Sequence, residues 1–288
     1  MEHLSGFAPL ASRYDGFIVD LWGVVHDGVR GFPDAMECLK RLGAAGKPVL
    51  LLSNAPRPNE PVRAMMRAMG IGDDFYTDLL TSGEAVRQAL RDPPDSWWAA
   101  LGPLVFHLGP ERDRPILDGL PLQIVPTPSA ADFVLNTGPD DHRNPTDLGE
   151  FEPLLRACAR HGLPMVCANP DLEVIRGGVR VLCAGTLAVR YREIGGDVRT
   201  LGKPDPAIYR QALRRLGRDA RRVLAVGDAL ETDIAGAASV GLDSCWVLGG
   251  LHRTALTGVD GGLDARLAEQ AARAAHLAPI ATIPRLVW

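Results

Sequence analysis

The sequence lacks the cysteine spacing that a disulfide framework or a structural zinc site requires. It has five cysteines in 288 residues, an odd number, and none of them forms a C-x-x-C pair. This pattern argues against both kinds of site, and we expect the cysteines to be small buried hydrophobic residues rather than catalytic thiols. They are Cys38, Cys158, Cys167, Cys183 and Cys245.

An excess of positive charge and a long apolar run are also missing. The chain has 31 basic and 35 acidic residues, a net charge of −4, with no block of like charge, so nucleic acid is not an expected partner. No apolar stretch reaches the ~18 residues of a membrane helix, and the N-terminal residues MEHLSGFAPLASRYDG do not resemble a signal peptide. We therefore expect no membrane association and a cytoplasmic protein.

Short apolar runs alternate with helical patterns, which predicts an α/β fold with a mostly parallel, doubly wound sheet. The predicted strands are 16–20, 48–53, 222–228 and 244–248. Three of them end in polar residues, namely Asp20, the pair Ser53 and Asn54, and Asp228. Ligands of open α/β sheets bind beyond the carboxyl ends of the strands, so these side chains are expected to converge on one pocket.

A second series of strand and helix patterns lies between residues 83 and 198 and is long enough to form a domain of its own. The candidate site residues lie on both sides of it along the chain. We therefore predict a core domain made of residues 1–82 and 199–288, with residues 83–198 inserted as an α/β domain. No repeat of 20 to 50 residues is visible, which argues against a repeat architecture.

The residues at the predicted strand ends favour a particular chemistry. Asp20, Asp228 and Asp233 offer carboxylates without a histidine or cysteine cluster, which suits a hard cation, and Mg²⁺ is the usual one where phosphate shares the site. Lys203, just before a predicted helix, could hold an anion. A carboxylate can also attack a phosphoryl group and form an aspartyl-phosphate that water later hydrolyses.

Four segments resemble, in order and spacing, the motifs of the haloacid dehalogenase (HAD) superfamily. They are DLWGVVHDG from Asp20, LLSN ending at Asn54, GKP around Lys203, and GDALETD from Gly227 to Asp233. The inserted domain, with ANPDLEV and DFVLNTG, is similar to the class IIA cap, found in 4-nitrophenylphosphatases, pyridoxal phosphate phosphatases and a nucleotide phosphatase. The resemblance implies a HAD-like core with an α/β cap and a Mg²⁺-dependent phosphatase acting on a small phosphorylated metabolite. It also suggests a homodimer paired through the cap.

The resemblance implies a role for each residue of the phosphate and metal site. Asp20 would be the nucleophile and a Mg²⁺ ligand, together with the backbone carbonyl of Trp22. Asp228 would be a further ligand, and Asp233 would bind the metal through water or orient that water. Lys203 would neutralise the nucleophile and the phosphate. An acid in the first turn of a helix, such as Asp233, is also stabilised by the helix dipole alone.

A second set of residues is expected to contact the substrate. Ser53 would donate a hydrogen bond to the phosphoryl oxygens, with Asn54 beside it. The Trp22 side chain would either form a wall of the site or be a packing residue. Asn169 and Asp171 would contact substrate from the cap by analogy. Asn-Pro-Asp is equally good turn chemistry, and Ser53 with Asn54 could also cap the turn that follows.

The sequence departs from the family pattern at Trp22. Phosphatases of the superfamily usually have D-x-D here, and the second aspartate, the general acid, contributes about 10²- to 10⁴-fold. The chain could be a phosphatase for aryl, acyl or anhydride phosphates, with His26 or Asp27 as a substitute acid. It could instead cleave carbon–halogen or carbon–phosphorus bonds, or be a catalytically weakened protein that binds a phosphometabolite as a sensor or binding module.

Overall fold

The computed structural model describes residues 1–176, 179–259 and 261–288. Its strands are β1 (Glu2–His3), β2 (Gly16–Asp20), β3 (Val49–Ser53), β4 (Asp78–Thr81), β5 (Leu104–Leu108), β6 (Gln123–Ile124), β7 (Phe133–Asn136), β8 (Met165–Cys167), β9 (Glu173–Arg176), β10 (Val179–Leu182), β11 (Val198–Thr200), β12 (Val223–Gly227), β13 (Asp243–Val247) and β14 (Ala281–Ile283). All four predicted strands are present, and their ends agree to within one residue.

The helices lie between these strands. They are α1 (Ala8–Ala11), α2 (Pro33–Ala44), α3 (Asn59–Ala68), α4 (Ser82–Arg91), α5 (Ser96–Ala99), α6 (Glu152–Arg160), α7 (Ala184–Glu193), α8 (Pro206–Leu216), α9 (Ala235–Ser239) and α10 (Ala265–Ala274). A π-helical turn, Leu230–Ile234, precedes α9. No helix of the described residues is long and apolar enough to cross a membrane.

The chain divides into two compact units. The first contains Met1–Ser53, Arg63–Leu80 and Lys203–Trp288, and the second contains Asn54–Val62 and Thr81–Gly202. The segment after Ser53 belongs to the second unit because its groups bond there. The Asn54 amide donates to Asp171, and the Gly83 N–H donates to the Ala55 carbonyl.

The sheet of the first unit has the strand order β1-β14-β13-β12-β2-β3-β4, and its pairs from β1 through β3 are parallel. The central strands β2, β3 and β12 are buried along their whole length, which explains their continuous apolar sequences. The chain winds outward from β2 in both directions, so the predicted α/β doubly wound fold is confirmed. Asp20 and Ser53 are the last residues of adjacent strands, and Asp228 follows β12 at the same edge.

Helix α8 shows how local sequence fixes the element that follows Lys203. The Asp205 side chain accepts the N–H of Ala207 at 2.8 Å, and Pro206 occupies the first turn, where its missing N–H costs nothing. The helix ends at Gly217, whose φ of +63° is a left-handed conformation that glycine adopts without strain. The N-cap of this helix is therefore fixed two residues after Lys203, and the helix itself begins at the next residue.

The second unit is built on a five-stranded sheet, β11-β8-β7-β5-β6, in which every pair is parallel. Alternate residues of β7 face opposite sides of this sheet. Phe133 and Leu135 pack in one hydrophobic cluster and Val134 in another, so both faces are covered. An antiparallel hairpin of β9 and β10 completes the unit.

All five cysteines are free and buried, as expected. Burial raises the pKa of the Cys38 and Cys167 thiols to about 12. Such thiols stay protonated near neutral pH and are poor nucleophiles, so the structure gives them a packing role.

Candidate active site

Three buried aspartates form a cluster at the carboxyl edge of the first unit's sheet. Asp20 ends β2, Asp228 follows β12, and Asp233 lies in the π-helical turn after it. One carboxylate oxygen from each lies within 4.8 Å of the other two. The structure therefore brings together the three carboxylates that the sequence predicted as metal ligands.

The ammonium group of Lys203 lies between two of these carboxylates. Its Nζ donates to Asp20 and, at 2.7 Å, to Oδ1 of Asp233. All three side chains are nearly inaccessible to solvent. Lys203 offsets part of the negative charge. One ammonium group among three carboxylates still leaves the cluster with more acidic than basic groups.

Burial makes the ionised form of these carboxylates costly. It raises the pKa of Asp20 well above its ordinary value, against the favourable charge of Lys203, and the carboxylates of Asp233 and Asp228 raise it further. Burial, together with the charge of Asp233, raises the pKa of Asp228 to about 7. The cluster therefore favours any cation that restores charge balance.

Backbone groups hold Asp228 in place. Its Oδ2 accepts the N–H of Leu251 at 2.7 Å. Gly23, with a φ of +81°, and Gly250 press against the same carboxylate, since an added Cβ would lie 2.1 Å and 2.0 Å from Oδ2 respectively. Asp228 thus occupies a slot that exists because two neighbouring positions have no side chain.

Asp233 is fixed by the turn in which it lies. Its Oδ2 accepts the N–H of Ala229 at 3.1 Å, while Oδ1 accepts from Lys203. An added Cβ at Gly227 would lie 2.1 Å from the Asp233 carboxyl carbon. The carboxylate is therefore oriented before any ligand binds.

The donor set fits the predicted metal. The cluster supplies carboxylate oxygens alone, with no cysteine or histidine ligand among the described residues, and Mg²⁺ prefers such hard donors. Asp20, Asp228 and Asp233 are preorganised by Lys203, Leu251 and Ala229 respectively. The site therefore has both the charge and the rigidity that a divalent cation requires.

The predicted substrate residues fall into two groups. Ser53 is buried at the end of β3, beside β2, in the first unit. Asn54, Asn169 and Asp171 lie together in the second unit. The Asn54 amide donates to Oδ1 of Asp171 at 2.7 Å, and the Asp171 N–H donates to Oδ1 of Asn169 at 3.0 Å. The hydrogen bond of Asp171 to Asn169 is the turn chemistry that the sequence also allowed.

The side chain of Trp22 lies against its own loop. An added Cβ at Gly28, whose φ is +84°, would lie 2.2 Å from the nearest atom of the indole ring. The His26 ring meets the indole edge-on, with the ring centroids 5.6 Å apart. Gly28 is thus a position where only glycine fits beneath the tryptophan.

The two substitute acids have different surroundings. The Asp27 carboxylate accepts the N–H groups of Val29 and Arg30, each at 2.9 Å, and these bonds lower its pKa. A carboxylate held in its ionised form is a poor general acid. His26 is buried, and its Nδ1 accepts the Gly28 N–H at 3.0 Å, so its neutral form carries the proton on Nε2.

Three residues that enclose Asp228 were not predicted from the sequence, namely Gly23, Gly250 and Leu251. A signal was present, because Gly249-Gly250 follows a predicted strand directly, and glycine at a strand end often marks a close backbone approach. The partner of that approach, Asp228, is 22 residues away along the chain. No local pattern identifies it.

Two segments of the chain match family models of known proteins. The model "Haloacid dehalogenase-like hydrolase" matches residues 17–122, and the model "HAD-hydrolase-like" matches residues 200–278. Human chronophin is 32% identical over 270 residues, which cover 88% of each protein. The chain belongs to the haloacid dehalogenase-like hydrolase family.

Solved structures agree with this assignment. A haloacid dehalogenase-like hydrolase from Brucella suis matches this hydrolase with a TM-score of 0.83 and 34% identity, covering 99% of this chain and 100% of that one. A p-nitrophenyl phosphatase from Archaeoglobus fulgidus matches with a TM-score of 0.71 and 25% identity, covering 94% and 96%. The HAD class IIA resemblance is confirmed, and these relatives support a phosphoric monoester hydrolase.

Filling the glycine slot should disable the metal site of this hydrolase. Gly250→Ala should abolish the Mg²⁺-induced rise in melting temperature, because the added methyl group displaces the Asp228 carboxylate. Gly23→Ala should do the same. Gly70→Ala is the matched control for Gly23, since its φ of +82° is nearly the same and an added Cβ meets nothing within 4 Å. Equal Mg²⁺ responses in Gly70→Ala and Gly23→Ala would contradict the role assigned to the slot.

Removing one carboxylate should stabilise the metal-free protein. The pKa of Asp228 is raised from 3.8 to about 7, so its contribution favours folding below pH 3.8 and is lost as the pH rises towards 7. In EDTA, Asp228→Asn should therefore melt at a higher temperature than wild type at pH 8, with a smaller difference at pH 5.

Asp113→Asn is the control for this change. Asp113 is also buried, but Oδ1 lies 3.6 Å from Nε of Arg57, so the substitution removes the counter-charge of an arginine. It should lower the melting temperature at pH 8. A lower melting temperature of Asp228→Asn at both pH values would show that the carboxylate stabilises the metal-free fold.

Proposed function

We propose that this hydrolase is a Mg²⁺-dependent phosphatase that acts on a small phosphorylated metabolite through an aspartyl-phosphate on Asp20. The observation that carries the proposal is the buried Lys203 ammonium between Asp20 and Asp233, with Asp228 beside them. Positioning and charge neutralisation are most of what phosphoryl transfer requires of a protein. A cytoplasmic location and a homodimer through the second unit remain predictions from the sequence.

The proposed reaction has two steps. An oxygen of Asp20 forms a bond to phosphorus while the bond to the leaving oxygen breaks, and the leaving group departs with the bonding electrons as an anion that solvent can protonate. Water then hydrolyses the acyl phosphate and releases inorganic phosphate. Lys203 favours the ionised form of Asp20 against the effect of burial and would balance charge on the phosphoryl group. Ser53 would donate its hydroxyl hydrogen to a phosphoryl oxygen. The aspartate is regenerated unchanged.

Asp20, Asp228, Asp233 and the Trp22 carbonyl would hold the Mg²⁺ ion. Bound there, Mg²⁺ would neutralise negative charge on the phosphoryl oxygens. Burial raises the pKa of both Asp20 and Asp228, and the neighbouring carboxylates raise it further, which supports the assignment of a cation to this cluster. Asn54, Asn169 and Asp171 remain predicted substrate contacts.

Because Trp22 stands where the family has a general acid, we expect it to limit which leaving groups the enzyme can release. Indole N–H is not a useful acid near neutral pH, and the backbone bonds of Asp27 favour its ionised form. We therefore expect aryl, acyl or anhydride phosphates, whose leaving oxygen needs little protonation, to be better substrates than alkyl phosphates. The same observation favours the second candidate function, a weakly catalytic protein that binds a phosphometabolite.

Asp20→Asn should lower phosphate release by at least about a thousandfold, because an amide cannot form the acyl phosphate. The assay compares aryl, acyl, anhydride and alkyl phosphates with and without Mg²⁺. Asp15→Asn is the control, since Asp15 pairs with Arg222 on the surface. Residual activity of Asp20→Asn close to wild type would exclude Asp20 as the nucleophile. Mg²⁺-dependent ligand binding by wild type without any turnover would favour the binding protein.

Trp22→Asp should raise kcat/KM for alkyl phosphates at least about tenfold, because it supplies a general acid. Aryl phosphates should gain less. The measurement is the slope of log kcat/KM against the leaving-group pKa, which should be steep in wild type and shallower in the variant. Trp22→Phe, which keeps an aromatic ring without adding an acid, should retain the steep slope. An unchanged slope in Trp22→Asp would mean that the proton is handled by another group.

A further inference from the structure

His252 lies in the loop after β13, outside the carboxylate cluster. With the ring proton on Nδ1, its Nε2 accepts the backbone N–H of Leu230 at 3.3 Å. Oε2 of Glu231 lies 3.2 Å from the same nitrogen and accepts from it only in the form that carries a proton there. Leu230 begins the π-helical turn, and the N–H groups of a helix's first turn have no partner within it. His252 therefore binds the start of the turn that contains Asp233 from a distant part of the chain.

The His252 ring also contacts the strand that supports Asp228. It meets the Trp246 indole edge-on, with the centroids 5.7 Å apart and the planes at 77°. Trp246 is fully buried, and its Nε1 donates to the backbone carbonyl of Asp228 at 2.9 Å. Trp246 thus links the His252 ring to the backbone of a predicted metal ligand.

The loop that contains His252 also contacts the Asp228 carboxylate directly. Leu251, the residue before His252, donates its N–H to Oδ2 of Asp228, and Gly250 packs against the same carboxylate. A shift of His252 would therefore be transmitted along the backbone to Leu251 and, through the Leu230 N–H, to the turn of Asp233. The ring therefore contacts both elements that carry these carboxylates.

We propose that His252 is a positioning residue of the metal site, which fixes Asp228 and Asp233 relative to each other without binding the metal. The proposal rests on the proposed function only in that it takes these aspartates as Mg²⁺ ligands. Groups that orient metal ligands typically change metal affinity about 10- to 100-fold when they are removed. The role needs a hydrogen-bond acceptor at Nε2, which makes it separable from simple packing.

The test is Mg²⁺ binding to the full chain, measured by isothermal titration calorimetry without substrate. His252→Ala should weaken Mg²⁺ binding about tenfold or more, because it removes the acceptor of the Leu230 N–H. His252→Gln places an acceptor at about the reach of Nε2 and should restore most of the affinity. His252→Asn is the matched control, because its acceptor corresponds to Nδ1 and should not restore it.

The outcomes separate this role from a structural one and from the proposed metal site. Melting in EDTA reports folding of each variant, and His252 is only partly buried. A lower melting temperature with an unchanged Mg²⁺ dissociation constant in His252→Ala would overturn the proposal, as would equal affinities of the Gln and Asn variants. No Mg²⁺ binding by wild type would overturn the metal site and this inference together. Phosphate release by Asp20→Asn tests the proposed function separately, because that assay does not depend on the Mg²⁺ titrations of the His252 variants.

Discussion

The burial of three carboxylates around one ammonium group is the constraint on which the site depends. Taking a carboxylate out of water costs several kcal/mol unless charge and hydrogen bonds compensate it. Lys203 compensates Asp20 and Asp233, and the N–H of Leu251 partly compensates Asp228. The remaining negative charge is what makes the cluster suited to a divalent cation. Affinity for such an ion and low stability in its absence therefore have the same physical origin.

The topology of the sheet makes this concentration of charge possible. Strands β2 and β12 are adjacent and parallel, so the residues at their carboxyl ends meet although they are about two hundred positions apart along the chain. The apolar residues of both strands are buried, so the sheet is rigid beneath the acids. Burial of the apolar residues stabilises the fold and offsets the free-energy cost of burying the carboxylates. Such a trade-off between stability and function is common at binding sites.

Strand ends and acids could be predicted from the sequence because their signals are local. A run such as GFIVD predicts a buried strand from its apolar residues and the end of that strand from its final aspartate. The surroundings of Asp228 could not be predicted, since Gly23, Gly250 and Trp246 come from three separate segments. The π-helical turn at Leu230 was missed for the same reason. The Thr232-Asp233 pattern is typical of an ordinary helix start, while the observed turn is held by His252 from a different loop.

Trp22 and Gly28 show that the departure from the family pattern is built into the loop. The indole lies where any side chain at Gly28 would collide with it, and His26 packs on its edge while accepting the Gly28 N–H. Replacing Trp22 by a smaller acid would remove the surface on which His26 and Gly28 pack. The aromatic residue is therefore part of the structure of this loop, and the loss of an acid at this position is coupled to that packing. Under the proposed function, a substrate would have to carry its own leaving-group stabilisation, because the indole at this position supplies no acid near neutral pH.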